Sequence, residues 1–434
     1  MINWIKKKKK KLSSSICTQY TGPAMVDHKD ILSLVAHFLK EHGYSQTLQQ
    51  LELEYGKPVQ PKLLNSESLS QILDDRLQYA SINNRNENDI DVNEELPLRF
   101  KELVHERFIN WTLPYPHKPT KLKVHSLIIF SVYNKGAIYF STNDSQIIIC
   151  KGGSITLVRM QEIIKKVLIV GLNFVLLGMS GKLYLTDEKF NEIEVIDTLS
   201  RFIIDANHVH SNGVDYIVIL TWNSMLKLVK LNESSVVAAM KLDQQGTCFD
   251  ITTYRGEIVI VLGKLENTLL DVITIQEEQF ASKYKISIND AEFTTSSFSP
   301  RFITISQKGG IPLVAVATSH EPYMRVIITS LIDFETSPLP PIARHQIIKN
   351  LNTLSPQDKF SQPLIAWRHN SEKESGIWVM GDDGVVRGLD LLDDKVAVEL
   401  KQHQTKIKDF TCFYENGYEV LITSGIDRQT FEWK

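Results

Sequence analysis

From Lys121 to its C-terminus the chain repeats one small pattern, a β-branched or aromatic run of a few residues followed by a turn signal. The runs include Ser126–Val132, Ala137–Ser141, Gln146–Cys150, Val167–Leu172, Leu183–Leu185, Tyr216–Thr221, Ile258–Leu262, Phe302–Ile305, Leu313–Val316 and Met324–Thr329. No long helical period interrupts them. Recurrent short strands without helices between them specify a sandwich, a barrel or a propeller. Residues 120–434 number 315, too many for a single sandwich. At about 40–45 residues per four-stranded unit, they predict a mainly β fold with about seven propeller blades. The chain ends on Trp433-Lys434, so the last blade is expected to close with the first strand of the domain, which leaves no free sheet edge there.

The segment before the strands has a different texture. Residues 27–60 read as two short helices. Asp27 is placed to cap the first, with Asp30 in its first turn. Ile31, Leu34, Val35 and Phe38 follow at i, i+3, i+4 and i+7, forming one apolar stripe. Gly43 ends this helix. Ser45 is expected to cap the next, which carries Leu48, Leu51 and Tyr55 before Gly56 and Pro58 stop it. Two helices this short cannot bury enough surface to stand alone. A second copy of the same hairpin is the simplest cover, giving a homodimer through an isologous four-helix arrangement.

Residues 61–119 read as a helical connector. Leu69, Ile72, Leu73 and Leu77 predict a third helix. Residues 81–95 are polar and predict a flexible linker, and Phe100, Leu103, Val104 and Phe108 predict a helix from Leu98 to Trp111. Residues 1–26 read as a disordered basic tail built around six consecutive lysines, Lys6 to Lys11. Met25 stands just before the first helix, so residues 1–24 read as an optional extension. No apolar segment follows the lysines, so a secretory signal is not expected.

The formal net charge of −3 gives no global reason to expect a nucleic-acid partner. No run is apolar enough to span a bilayer, so a membrane partner is not expected either. Cys17, Cys150, Cys248 and Cys412 form no CxxC pair. That pattern fits a reducing compartment, cytoplasm or nucleus, with no thiolate metal site.

Two stretches carry family resemblances. In residues 377–390, IWVMGDDGVVRGLD, and again in the stretch from His403 to Trp433, a strand leads to a turn Asp and a second strand. Asp383 and Asp427 each stand six residues before a strand residue, Leu389 and Trp433. This resembles the end of a WD repeat, with His403 at the position of the family's histidine and Gln402 in place of the usual glycine. The resemblance implies a buried structural relay of His403, Thr423 or Ser424, Asp427 and Trp433, with Asp383 at the matching place one unit earlier. Between residues 120 and 370 no clear Gly-His or Trp-Asp pair occurs. The second resemblance is the hairpin. ILSLVAHFLKEHGYSQTLQQLELEYG is similar to a LisH motif through Leu34, Phe38, Leu39, Gly43, Tyr44, Thr47, Leu48, Leu51 and Glu54. It implies dimerisation through Ile31, Leu34, Val35, Phe38, Leu39, Tyr44, Leu48, Leu51 and Tyr55. The order of hairpin, linker and WD-type propeller resembles the lissencephaly and transducin-β-like class of scaffolds.

Four features invite a catalytic or ligand-binding reading and are better explained otherwise. Asp382-Asp383 within GDDG fits a hairpin tip. His208 and His210 share one strand face, and the local sequence offers a metal no obvious third ligand. Gly178-Met179-Ser180-Gly181-Lys182 has neither the spacing of a phosphate loop nor that of a nucleophile elbow, so it reads as a turn. Lys406 and Lys408 read as a solvated loop rather than a basic rim. The expected protein is therefore a non-enzymatic scaffold without cofactor or metal, which pairs with itself through the hairpin and binds other proteins of a complex through the propeller. Corepressor, dynein-regulating and ubiquitin-ligase or endosomal roles stay open, and a hydrolase in the propeller's central channel is the alternative.

Overall fold

The second strand of every sheet is apolar along almost its whole length, and it has to be, because both of its faces are covered. Ala137–Thr142, Asn173–Gly178, Val214–Thr221, Glu257–Lys264, Leu313–Thr318, Ile377–Met380 and Tyr418–Gly425 are buried at nearly every position. The computed structural model describes residues 28–63, 68–73, 98–289, 298–334 and 339–434. They fall in two compact units, Met1–Glu95 and Leu96–Lys434.

In the second unit seven sheets form seven blades: residues 128–159, 164–197, 203–241, 246–287, 300–356, 364–401 and 407–433. The first strand of each blade packs against the first strand of the next, and that of blade 7 against that of blade 1, so the ring closes. Seven apolar clusters, one at each junction between successive blades, take the place of a single core. Blade 7 is completed from the start of the domain. Pro119, Thr120 and Lys121 pair antiparallel with Trp433, Glu432 and Phe431, which is the closure expected from the C-terminal strand. Blade 4 gains a fifth strand, Ile342–Ala343, parallel to its outer edge.

The first strands share a second device. In blades 1, 2, 3, 4, 5 and 7 the register shifts one residue after the strand begins. Each shift sets one extra residue at the same level of the ring: Ile129, Lys165, Ile204, Thr247, Arg301 and Lys408. A bulge of this kind bends the strand and re-aims a side chain.

Helix α3, Leu98–Arg107, belongs to the propeller unit. Phe100 and Phe108 are buried in the cluster between blades 5 and 6, with Leu103 and Val104 packed against it.

In the first unit α1 runs over His28–Glu41 and α2 over Ser45–Tyr55. Gly43 at φ 77° and Gly56 at φ 75° end them in the left-handed region, as expected of glycine there. Ser45 does not cap α2. The turn is so short that Ser45 is already helical, and Tyr44 holds the cap position at φ −80°, ψ 54° with no side-chain bond. Residues 69–73 are helical and open on a capping box, Ser68 N to Gln71 Oε1 at 2.8 Å and Gln71 N to Ser68 Oγ at 3.3 Å. Asp27, the tail, Leu77 and the linker at 81–95 lie outside the described residues.

Candidate functional site

The propeller axis is where a channel enzyme would gather its carboxylates, and here those groups join blade to blade. The Lys165 ammonium donates to the carbonyls of Ile203 and Ile204, the latter at 2.7 Å, and burial lowers its pKa. Lys166 Nζ binds Asp205 Oδ1 and Asn207 Oδ1, both at 2.7 Å. Asp250 accepts the Ile251 and Ile305 amides at 2.8 and 2.9 Å, and Asn207 Nδ2 donates at 3.4 Å to the same Oδ1 that takes Ile251. Thr247 Oγ1 donates to Pro300 O at 2.6 Å, and Gln307 donates to Thr252. At the junction of blades 7 and 1 the Ser131 hydroxyl donates to Asp409, and Thr411 Oγ1 donates to Ser131 O at 2.8 Å. Burial pushes the Asp250 carboxyl up to about 6 and that of Asp409 up to about 7.

Asp409 therefore carries a pH signature. The folded chain holds its proton up to about pH 7, whereas the unfolded chain releases it near 4. The stability linked to this group is full below pH 4 and falls as pH rises through 7. The hydrogen bonds from Ser131 and from the Phe410 backbone, and then the Lys408 charge, oppose the shift without cancelling it. Asp409→Asn should remove the dependence. Between pH 5 and pH 7 the variant should gain on wild type by about 1 kcal/mol per pH unit in urea unfolding. A difference that stays constant across that range would contradict the assignment.

The C-terminal residues come together only in part. His403 Nε2 lies 2.8 Å from Thr423 Oγ1, and the Trp433 indole N–H donates to the same oxygen at 2.9 Å. Ser424 turns to Thr430 instead, 3.1 Å away. A Cβ on Gly425 would stand 2.5 Å from Asp427 Oδ1 and 2.8 Å from His403 Nδ1, so only glycine fits between these two groups. Asp383 is not part of such a group. Arg387 reaches back from the following strand and takes its carboxylate at 2.6 and 3.1 Å, and Leu389 supplies no indole donor. Thr423→Val keeps the volume but strands His403 and the Trp433 N–H without a partner. The expected cost is about 2–3 kcal/mol in denaturant unfolding, and a loss below 0.5 kcal/mol would show the hydroxyl to be dispensable.

Sequence reasoning missed a cluster that anchors the chain between α3 and the ring. Arg368 Nε and Glu419 Oε2 pair at 2.9 Å, both side chains fully buried. Glu419 Oε1 also accepts the Trp378 indole at 3.1 Å. Arg368 then holds Thr112 O at 3.0 Å and Pro114 O at 3.3 Å, and its guanidinium lies 3.9 Å from the centre of the Trp111 ring. Trp111 fits edge-on against Trp378 and closes over Gly376 and Gly388, where any Cβ would collide with it. A signal did exist: a lone arginine ends the apolar run LIAW, and a lone glutamate stands in YEVLIT.

His208 and His210 do gain a third group. Asp215 Oδ1 lies 2.8 Å from a ring nitrogen of each. Among the described residues no His, Cys, Asp and Glu group is arranged to hold a metal. Asp382 meets Lys406 at 2.6 Å, Lys408 faces Gln362 at 3.4 Å, and Ser180-Gly181 is a turn. Cys150, Cys248 and Cys412 are free. No described helix is long and apolar enough to cross a membrane.

In the hairpin Leu34 is buried and Val35, Phe38, Leu39, Leu48 and Leu51 are half-buried, while Ile31, Tyr44 and Tyr55 are exposed. Phe38 stacks on His42 at 4.3 Å. Helix α2 has no buried residue.

A closed ring of seven blades, six of four strands and one of five, defines a β-propeller protein. The chain belongs to the family described as UCP007778, beta-propeller domain, which matches residues 90–434. It is also similar to a Saccharomyces cerevisiae protein, "Uncharacterized protein YGR117C", at 30% identity over 128 residues, 26% of this chain and 26% of that protein. The chain thus matches about a quarter of that relative's length.

Proposed function

We propose that this chain is a non-enzymatic scaffold, a subunit of a multiprotein complex in cytoplasm or nucleus, working without cofactor or metal. Its hairpin acts as a LisH-type dimerisation module, and its propeller, read as a divergent WD-type ring, binds partner proteins. The observation that carries this reading is α2, eleven residues of helix with no side chain buried. A helix of that length is not stable unaided, and a second copy of the hairpin supplies its cover. The shared Thr423 oxygen between His403 and Trp433 supports the WD-type reading of the last blade. The axis supports the absence of catalysis, since Asp205, Asp250 and Asp409 are each engaged by a neighbouring blade. Two propellers held together would gain avidity for a multisubunit partner.

Affinity purification from cells that carry two differently tagged copies tests this reading. The expected result is recovery of the second tag together with stoichiometric partner proteins. A single copy recovered alone would overturn it. Hydrolysis that is lost on substituting an axis carboxylate in a stable variant would instead favour the channel enzyme.

A further inference from the structure

Three turns of blades 2 and 3, around residues 179–181, 198–202 and 222–224, place four large apolar side chains in water. Met179 is 56% exposed, Leu199 79%, Phe202 75% and Trp222 63%. The turns are bonded into one surface. The Trp222 amide donates to Phe202 O at 2.8 Å, and Thr198 Oγ1 donates to Gly181 O at 2.6 Å. Gly181 packs so closely on Ser200 O that a Cβ there would overlap it. Leu199 sits at φ 53°, a conformation that costs a leucine about 1–2 kcal/mol. Asp197 holds it there by accepting the Leu199 amide at 2.8 Å. Burial gains nothing from this strain, because the leucine points to solvent, and strain of this kind gathers at binding sites.

The charges around the patch are biased. Lys182, Arg201, Lys227 and Lys241 surround it. Lys227 and Lys241 are tied to the carbonyls of Thr198 and Asn223, both at 2.7 Å, whereas Lys182 and Arg201 are exposed; Lys182 feels the Glu162 charge without a salt bridge between them among the described residues. Asp197 and Glu162, beside the patch, are already engaged. Asp197 caps the loop, and Glu162 accepts the Ser180 amide at 2.6 Å and the Ser180 and Tyr184 hydroxyls at 2.5 Å. A concentration of exposed apolar side chains rimmed by exposed cations marks a site for a partner of opposite charge.

We infer that this surface docks an acidic peptide segment of a partner protein, which sets an aliphatic or aromatic side chain against Phe202 and Trp222 and carboxylates against Arg201 and Lys182. The inference rests on the scaffold reading and gives its propeller a place and a ligand chemistry. Met179 and Leu199 favour a peptide over a single-stranded nucleic acid, because aliphatic groups offer no stacking plane and a small cluster of cations cannot follow a phosphate backbone.

Selection of a phage-displayed random twelve-residue peptide library on the immobilised full-length chain tests it. Enriched sequences should carry carboxylates flanking an aliphatic or aromatic residue. A fluorescent copy of the best one should lose at least tenfold in affinity with Trp222→Ser and with Arg201→Glu, and should weaken as salt rises. A photo-crosslinker at its apolar position should label residues 199–202 or 222 of the unmodified chain, a readout that no misfolded variant can imitate. Basic or featureless selected peptides, unchanged affinity in both variants, crosslinks elsewhere, or a labelled single-stranded oligonucleotide displacing the peptide would each overturn it. Peptides that bind at another surface would sink this site while leaving the scaffold reading intact. Failure of the library to enrich any binder would overturn the site, and the scaffold reading would fall with it only if purification also recovered a single copy without partners.

Discussion

Glu419→Ala should destabilise the propeller by about 3–5 kcal/mol, the loss expected when one partner of a buried ion pair is removed. Arg368 would keep its charge, since a guanidinium does not deprotonate in a protein. It would be left fully buried between Trp111 and Trp378 with no carboxylate. The Trp378 indole N–H and the His369 amide would lose their acceptor as well. The damage should spread along the chain, because Arg368 holds the carbonyls of Thr112 and Pro114. Residues 107–118 should therefore become open to limited proteolysis in the variant and stay resistant in wild type. Removing both charges, as Arg368→Met with Glu419→Leu, should restore most of the stability, because a packed apolar pair carries no desolvation penalty. Guanidinium unfolding of the three proteins measures this. A single-variant loss under 1 kcal/mol would mean that water reaches the pair and that the segment is held by Trp111 packing alone.

The propeller was legible because a blade's second strand is covered on both faces. Runs such as IVIVL at 258–262 and LVAV at 313–316 stay apolar where a half-exposed strand would alternate. Outer strands were harder. Ser154–Arg159 and Glu192–Asp197 are largely exposed, so little of their pattern is imposed by packing. The strand Ile342–Ala343 is two residues long and leaves no periodic trace. The bulge residues were invisible, because a register shift depends on the partner strand. Arg368 and Glu419 stand 51 positions apart on different blades, and no local spacing announces that pair. Asp215 could have been found. Asn212-Gly213 is a two-residue hairpin turn, with φ 50° and 76°, and counting back from it sets His210 directly opposite Asp215.

The hairpin is the part whose role depends most on something outside one chain. Among the described residues Ile31, Tyr44, Leu53 and Tyr55 expose large apolar side chains on two helices that together bury little. In a two-fold arrangement each position occurs twice, so one substituted residue introduces two charges into the shared face. Ile31→Asp is the informative variant, because Ile31 is 48% exposed in the single chain. Phe38→Asp, closer to the stripe's centre, should act in the same direction and more strongly. Burying an unpaired carboxylate costs several kcal/mol, enough to dissociate a dimer of micromolar affinity. Circular dichroism should show the propeller's β signal unchanged in both variants. The deciding measurement is light scattering of the full chain at tens of micromolar. Pairing predicts twice the 49.5 kDa chain mass for wild type and the single-chain mass for Ile31→Asp and Phe38→Asp. A wild type at the single-chain mass, or a doubled mass that both variants retain, would contradict it.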